Sequence, residues 1–362
     1  MTSNGAPVEI RPFLGAEADD AELRAWHELY TAERLREFPG FPLQPYEHFA
    51  ATARSPRWGD LGPRHVWMAF EGGRVIGSGT VVYPDQHLLD WAVVRVVVGD
   101  SYRRRGVGTA LLREIVADAR DRGRVTLAND QVRFGSAGEQ WARAVGFSGT
   151  QRNRWAMLHV RDTDPACWEV PVPPGFRLAQ WTDAAPEELV VAFAAARNAI
   201  ADAPTGDSSY EHRAWTVERV RQAEADARES GDLPRVVAAV HEESGAVAAL
   251  TGLQLRPGRT DLSWQGDTAV AEGFRGCGLG RAVKAGMMRW VLADFPDLER
   301  VVTNTAADNA SMIRVNEQIG YVHYADIGVF EGSVEQVNAA LEMTTAIPGP
   351  RRESASESEP VG

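Results

Sequence analysis

The sequence predicts an α+β fold made of two tandem domains, each a mixed, mostly antiparallel sheet flanked by helices. Three observations carry this. A glycine-rich loop is written twice, as "YRRRGVGTALL" from Tyr102 and "FRGCGLGRAVK" from Phe274. Its arginines, Arg103 and Arg275, stand 275 − 103 = 172 positions apart, as do Val98 and Val270 before them. A hairpin with glycine at its turn precedes each loop, and an apolar-striped segment follows the second.

The first half opens on a strand, "VEIRPF", and a helical segment, "DAELRAWHELYTAERL"; a second helix is weak there. The hairpin "RHVWMAFEGGRVIGSGTVV", the strand "LLDWAVVRVVV", the loop and its helix follow. The strand "RVTLA", the helix "GEQWARAVGF" and closing strands complete it. The second half repeats the order with "FRLAQW", "PEELVVAFAAARNAI", a clear second helix "YEHRAWTVERVRQAEADARE" and the hairpin "RVVAAVHEESGAVAALTGLQL". "TDLSWQGDTAV", the second loop and helix, "RVVTNT" and "SMIRVNEQIGY" then follow. Gly73 and Gly245 keep the offset of 172, whereas Gly146 with Gly320 gives 174 and Arg11 with Arg177 gives 166, as small loop insertions would produce.

This reads as an N-terminal domain over 1–162, a linker over 163–174, a C-terminal domain over 175–346 and a disordered tail over 347–362. "RDTDPACWEVPVPPG" carries four prolines, as a linker should. "IPGPRRESASESEPVG" has too few large apolar residues to order itself.

Each loop puts glycines where a helix begins. After Gly278, the residues Leu279, Ala282, Val283, Gly286, Met287, Trp290 and Val291 form one apolar face, so the helix starts against the sheet. The first amides of a helix lack internal partners and carry the positive end of its dipole. Glycines there let an anion's oxygens approach the backbone, which suits a phosphate or pyrophosphate. Neither copy has the Gly-Lys-Ser/Thr ending of a P-loop. Each follows an antiparallel hairpin instead of opening a βαβ unit, which argues against a dinucleotide fold. The plain alternative, glycines that merely end a strand and turn the chain, is weakened by the duplication.

Arg/Gln-x-x-Gly-x-Gly after a strand ending in valine resembles motif A of the GNAT acyltransferase superfamily, at Arg103, Gly106 and Gly108 and again at Arg275, Gly278 and Gly280. "TNTAADNASMIRVNEQIGY" resembles the family's motif B. The resemblance spans nearly the whole chain, and the second half, with "NAIADAPTGD", looks like the paired-domain acetyltransferases of actinobacteria. It implies acetyl-CoA as cosubstrate and no metal, with pyrophosphate on the loop amides and pantetheine beside the valine strand. The cofactor-binding residues it implies are Val96, Val98, Arg103, Arg104, Gly106, Gly108 and Thr109 in the first half. In the second they are Thr268, Val270, Arg275, Gly276, Gly278, Gly280, Asn304 and Asn309.

The implied reaction is acetyl transfer to a primary amine of a small molecule. It needs a base to free the amine lone pair, a donor to polarise the thioester carbonyl and a group to serve the departing thiolate. A backbone N–H near Val98 or Val270 is the implied donor. Asp267 reads as a candidate base or as a hydrogen-bonded strand residue; Arg95 holds the aligned position, and a guanidinium cannot accept the proton. The family's thiolate partner is a tyrosine four residues before the Gly-Phe glycine, where this chain has Asn316 and Ala142. Water, Tyr321 or Tyr324 is left for that task. Asp202 and Asp207 read as anchors for a cationic substrate or as turn caps. Asn309 is also a plausible helix N-cap, and the first half is read as lacking both Asn304 and Asn309 in register. The resemblance implies direct transfer, with no nucleophilic role for Cys277. The C-terminal domain is therefore expected to catalyse, with Asp267, Asn316 and Tyr321 as candidate catalytic residues. The first domain would hold acetyl-CoA or shape the cleft. The rival reading is a non-catalytic acyl-CoA-binding sensor or regulatory module.

Composition narrows the partners. A net charge of −12 over 362 residues disfavours nucleic acid. The two cysteines, Cys167 and Cys277, make neither a disulfide framework nor a zinc cluster. "MTSNGAPVEIRPF" lacks the features of a signal peptide, and no apolar run is long enough to span a bilayer. The expectation is a cytoplasmic monomer or homodimer that acts on a small molecule, with no nucleic-acid, membrane or metal partner.

Overall fold

The structure, a computed structural model, describes residues 7–59, 61–256 and 259–346. The expected disordered tail lies outside the described residues. The first half runs β1 (Val8–Pro12), α1 (Asp20–Glu37), α2 (Tyr46–Arg54), β2 (Arg57–Trp58), β3 (Gly62–Glu71), β4 (Arg74–Val82), β5 (Trp91–Val98), α3 (Val107–Asp121), β6 (Thr126–Arg133), α4 (Ala137–Ala144) and β7 (Ser148–His159). The second runs β8 (Phe176–Thr182), α5 (Val190–Arg197), α6 (Val217–Ser230), β9 (Leu233–His241), β10 (Val247–Arg256), β11 (Arg259–Val270), α7 (Leu279–Asp294), β12 (Arg300–Ala306), α8 (Ala310–Ile319), β13 (Val322–Ser333) and α9 (Val334–Ala346).

Local chemistry explains the helix starts. Asp19 and Glu22 form a reciprocal capping box at α1, which buries Leu23, Trp26 and Leu29. The weakly marked α2 is present and buries Phe49, Ala50 and Ala53 against the same sheet face. The helix expected from Tyr210 begins instead at Val217, because Thr216 caps it through Arg219 N. Tyr210 packs edge-on against Trp91 of the first half.

The two sheets are one. Strand order is β1-β3-β4-β5-β6-β13-β7-β12-β11-β10-β9-β8, with β2 beside β3. The last strands are exchanged: β13 of the second half lies between β6 and β7 of the first, and β7 pairs with β12. Each half therefore closes its sheet with the other's strand, which leaves no open edge at the junction. The segments that follow cross over too. On α9, Val337 and Leu341 are buried in one core with Leu111, Ile115 and Val116 of α3. The proline-rich joint buries Trp168, whose Nε1 donates to the Ile319 carbonyl at 2.9 Å beside α7. That stretch is packed structure and not a loose tether.

Two parallel pairings position the site. β5 and β6 pair at Trp91–Thr126, Ala92–Leu127 and Val93–Ala128, then part. β11 and β12 pair from Leu262–Arg300 to Gln265–Thr303, then part. Each gap opens toward a glycine loop.

Candidate functional site

The two loops share one backbone. Tyr102 N donates to Gly99 O and Phe274 N to Ala271 O, both at 2.9 Å. Arg103 Nε donates to Val98 O and Arg275 Nε to Val270 O, both at 3.3 Å. Gly106 (φ +81°) and Gly278 (φ +80°) stand immediately before α3 and α7 in the left-handed region. A Cβ on either would meet open space, so glycine is needed there for its backbone and not for room. Two residues earlier the copies differ: Gly276 has φ +79°, and Arg104 takes φ +60° in the same place. Side chains of Asp19, Ser136, Thr216 and Asn309 cap α1, α4, α6 and α8, whereas no side chain caps α3 or α7. The first amides of both helices thus remain available to an anion. With Arg103 or Arg275 beside them, these residues fit the diphosphate of a CoA thioester.

Strand alternation aims the next groups. Gly99 N bonds back to Ile76 O of β4, while Val94 O accepts from Asn129 Nδ2 across the gap at 2.8 Å. Val94, Val96 and Val98 therefore share the side that faces β6. Thr268 and Val270 are their counterparts, since Ala271 N bonds Ala248 O. The halves differ just before these residues. Gly266 and Asp267 form a bulge opposite Gly252, whereas β4 and β5 pair unbroken from Gly77–Val98 to Val82–Val93.

Register also corrects one expectation. Asn129 follows the last parallel pair of the first gap as Asn304 follows that of the second, so the first half does carry that asparagine. Asn304 is exposed. Asn309 caps α8 through Met312 N at 3.1 Å, and Ser136 does the same for α4.

In the first half the gap opens on both faces. Beneath α3 and α4 lies an open cleft lined by Leu112, Trp141 and Phe147. On the α1–α2 face lies a second cavity, open to solvent and walled by Trp26, Tyr30, Phe49 and Trp58. Both are lined by Val94, Arg95, Val97, Asn129 and Gln131. Arg95 bonds Glu33 at 3.0 Å and lies over the Tyr30 ring. Asp130, on the same strand as Asn129, lines the second cavity, and desolvation raises its carboxyl above the usual range.

Polar side chains pack the floor of the second gap. Where the first half has Val93, Leu112, Ala142 and Phe147, the second has Gln265, Lys284, Asn316 and Tyr321, at the offsets of 172 and 174 found above. Lys284 Nζ lies 2.9 Å and the Tyr321 hydroxyl 2.6 Å from Gln265 Oε1, and Gln265 Nε2 donates to Thr251 Oγ1 at 2.9 Å. All four are buried. Burial lowers Lys284 to about 7 and pushes Tyr321 up. Asn316 Nδ2 donates to Thr305 Oγ1, and its Oδ1 is buried without a partner. Tyr324 is occupied between the halves, donating to Pro39 O at 3.1 Å.

Around this plug sit the other expected residues. Asp267 pairs with Arg197 at 3.2 Å, and burial lowers that guanidinium. Asp202 pairs with Arg275 of the loop. Asp207 is exposed, its N–H donating to Thr150 O at 2.8 Å. Cys277 is exposed in the loop. Thr109 and Gly108 lie in the first turn of α3, and Gly280 in that of α7. Sequence reasoning missed Asn129, Asp130 and Lys284. Strand register would have found the first two, while a lysine off the apolar stripe of its helix gives no signal of its burial.

Two uncapped anion cradles thus stand in one chain, each over a splayed parallel pair. The profile of the acetyltransferase (GNAT) family matches residues 23–134 and 197–321. The chain belongs to the acetyltransferase (GNAT) family. A tandem GNAT protein from the clavulanic acid biosynthesis pathway, solved without acetyl-CoA, is 25% identical with a TM-score of 0.74. The match covers 91% of this chain and 99% of that one. A GCN5-related N-acetyltransferase from Sphaerobacter thermophilus shares the fold at 16% identity and TM-score 0.70, over 91% of this chain and 97% of its own. No curated protein matches this chain. The tandem GNAT fold and an acyl-transfer function follow. Among the described residues no cluster of His, Cys, Asp or Glu could hold a metal ion, and no helix is long and apolar enough to cross a membrane.

Proposed function

We propose that the protein transfers acetyl from acetyl-CoA to the primary amine of a small molecule, and that the transfer occurs in the first half. One observation supports this most. The gap between β5 and β6 opens into a cleft on one face and a cavity on the other, and the two share Val94, Arg95, Val97, Asn129 and Gln131. A thioester entering under the glycine loop and an amine entering from the α1–α2 face would meet there directly. Bound acetyl-CoA supplies the activated acyl group. The α3 amides and Arg103 would hold its diphosphate, and the amides of Val96 and Val98 would turn toward its carbonyl. This half differs from the one that Asp267 favours in the sequence.

Transfer in the second half is the other reading. The bulge at Gly266–Asp267 favours it, because a bulge re-aims backbone amides and places a half-exposed carboxylate at the gap. It requires Arg197 to leave Asp267 and a ligand to enter beside the Lys284 plug. Incubating the protein with acetyl-CoA and a panel of amines, while following free thiol, tests both against the sensor reading. Turnover of any amine supports an enzyme. Tight acetyl-CoA binding without turnover across the panel supports the sensor.

A further inference from the structure

The cavity on the α1–α2 face has a chemistry of its own. Its wall is built from Trp26, Tyr30, Phe49 and Trp58. Trp26 meets Phe49 edge-on at 5.2 Å, and Tyr30 lies 5.7 Å from the same ring. Trp58 is half-exposed at the margin. Three charged side chains line the cavity, and two of them are occupied. Arg64 Nη2 donates to the carbonyls of Thr52, Ala53 and Ser55, which ties down the end of α2. Arg95 is taken by Glu33. Asp130 is the one carboxylate in that lining among the described residues, and Arg95, the cation that offsets it, has its hydrogen bond elsewhere. Asp130 keeps open surface and lines the cavity, and the protein atoms around it desolvate its carboxyl. Its neighbour Asn129 bridges the strand gap.

We propose that this cavity is the acceptor site for an arylalkylamine, whose ring lies among Trp26, Tyr30, Phe49 and Trp58 and whose ammonium is held and deprotonated by Asp130. The proposal rests on the reading of the first half as the transfer site. Aromatic walls favour a flat apolar body and tolerate a cation at its end. An amino sugar would bring several hydroxyls that each need a partner on burial. A polyamine would bring several cations to one carboxylate and two guanidiniums. The chemistry balances. Asp130 takes one proton from the ammonium, and the freed lone pair forms a C–N bond at the thioester carbonyl carbon. The C–S bond breaks with its electron pair on sulfur, and the second proton passes from nitrogen to that sulfur. Asp130 then releases its proton to water. Acetyl-CoA and an ammonium become an amide, CoA thiol and one proton.

The test uses the full chain with 2-phenylethylamine and tryptamine against glucosamine and spermidine, following free thiol. Arylalkylamines should show kcat/KM at least tenfold above the other two. Asp130→Asn should lower kcat by at least a hundredfold at neutral pH with acetyl-CoA affinity unchanged. Trp58→Ala, at the exposed margin, should raise KM for 2-phenylethylamine several-fold with little change in kcat. A preference for glucosamine or spermidine, or full activity of Asp130→Asn, overturns the proposal. Calorimetry with 2-phenylethylamine separates it from the reading beneath it. Binding that needs Asp130 but leads to no turnover keeps the amine site and sinks the transfer reading. Turnover that survives Asp130→Asn and is lost in Gly278→Glu sinks the site and keeps an acetyltransferase.

Discussion

The Nζ of Lys284 lies 2.9 Å from the Oε1 of Gln265, with both side chains enclosed in the second half where the first half has Leu112 and Val93. Burial lowers this lysine from 10.5 to about 7. Between those values the unfolded chain binds a proton that the native chain does not, so stability rises with pH across that window. Below it both states are protonated and the full cost of burying the charge applies. Lys284→Met keeps the volume and leaves Gln265 Oε1 with the Tyr321 hydroxyl. We expect it to stabilise the protein by about 1–4 kcal/mol at pH 6, with the gain shrinking toward pH 10. Urea denaturation at pH 6, 8 and 10 reads this; a gain that does not change with pH would speak against a buried, titrating lysine.

Strand exchange has a consequence for cooperativity. Phe330 belongs to β13 but is fully buried in the core of the first half, with Leu111, Leu127 and Phe147. Phe330→Ala should cost about 3–5 kcal/mol. Because β13 and β7 bind the two sheets into one, both halves should melt together, and the far-UV and tryptophan fluorescence curves should shift by the same amount. Two separate transitions, with only one of them displaced, would contradict this.

Arg104 offers a way to part stability from affinity. It holds φ +60° where the second loop has Gly276 at φ +79°. The left-handed conformation costs a side-chain-bearing residue about 1–2 kcal/mol. Arg104→Gly should therefore raise the melting temperature by a few degrees and weaken acetyl-CoA binding several-fold, since it removes a cation beside the cradle. Calorimetric titration and thermal denaturation on one preparation check both; a tighter-binding variant would show that the charge plays no part.

Much of the fold was legible because its signals are local. Glycines at Gly73, Gly106, Gly245 and Gly278 mark turns and helix starts whatever the rest of the chain does. The exchange of β7 and β13 was not legible. Both read as closing strands, and which sheet a strand joins depends on pairing across more than a hundred residues. The site was legible at its loops and obscure at its floor. Aligning "RVTLA" with "RVVTNT" by letters hides the match of Asn129 with Asn304, which only the parallel register reveals. Lys284 falls within an apolar helix, yet its hydropathy points to solvent. Gln265, Thr251 and Tyr321, which make its burial tolerable, come from three different strands or turns.

The most direct test is a pair of variants, Gly106→Glu and Gly278→Glu, each placing bulk and negative charge in one cradle. Both positions require a left-handed backbone, so the melting temperature of each must first show a folded protein. With acetyl-CoA and an accepted amine, Gly106→Glu should abolish thiol release while Gly278→Glu leaves most of it. Loss of turnover in Gly278→Glu alone would contradict transfer in the first half.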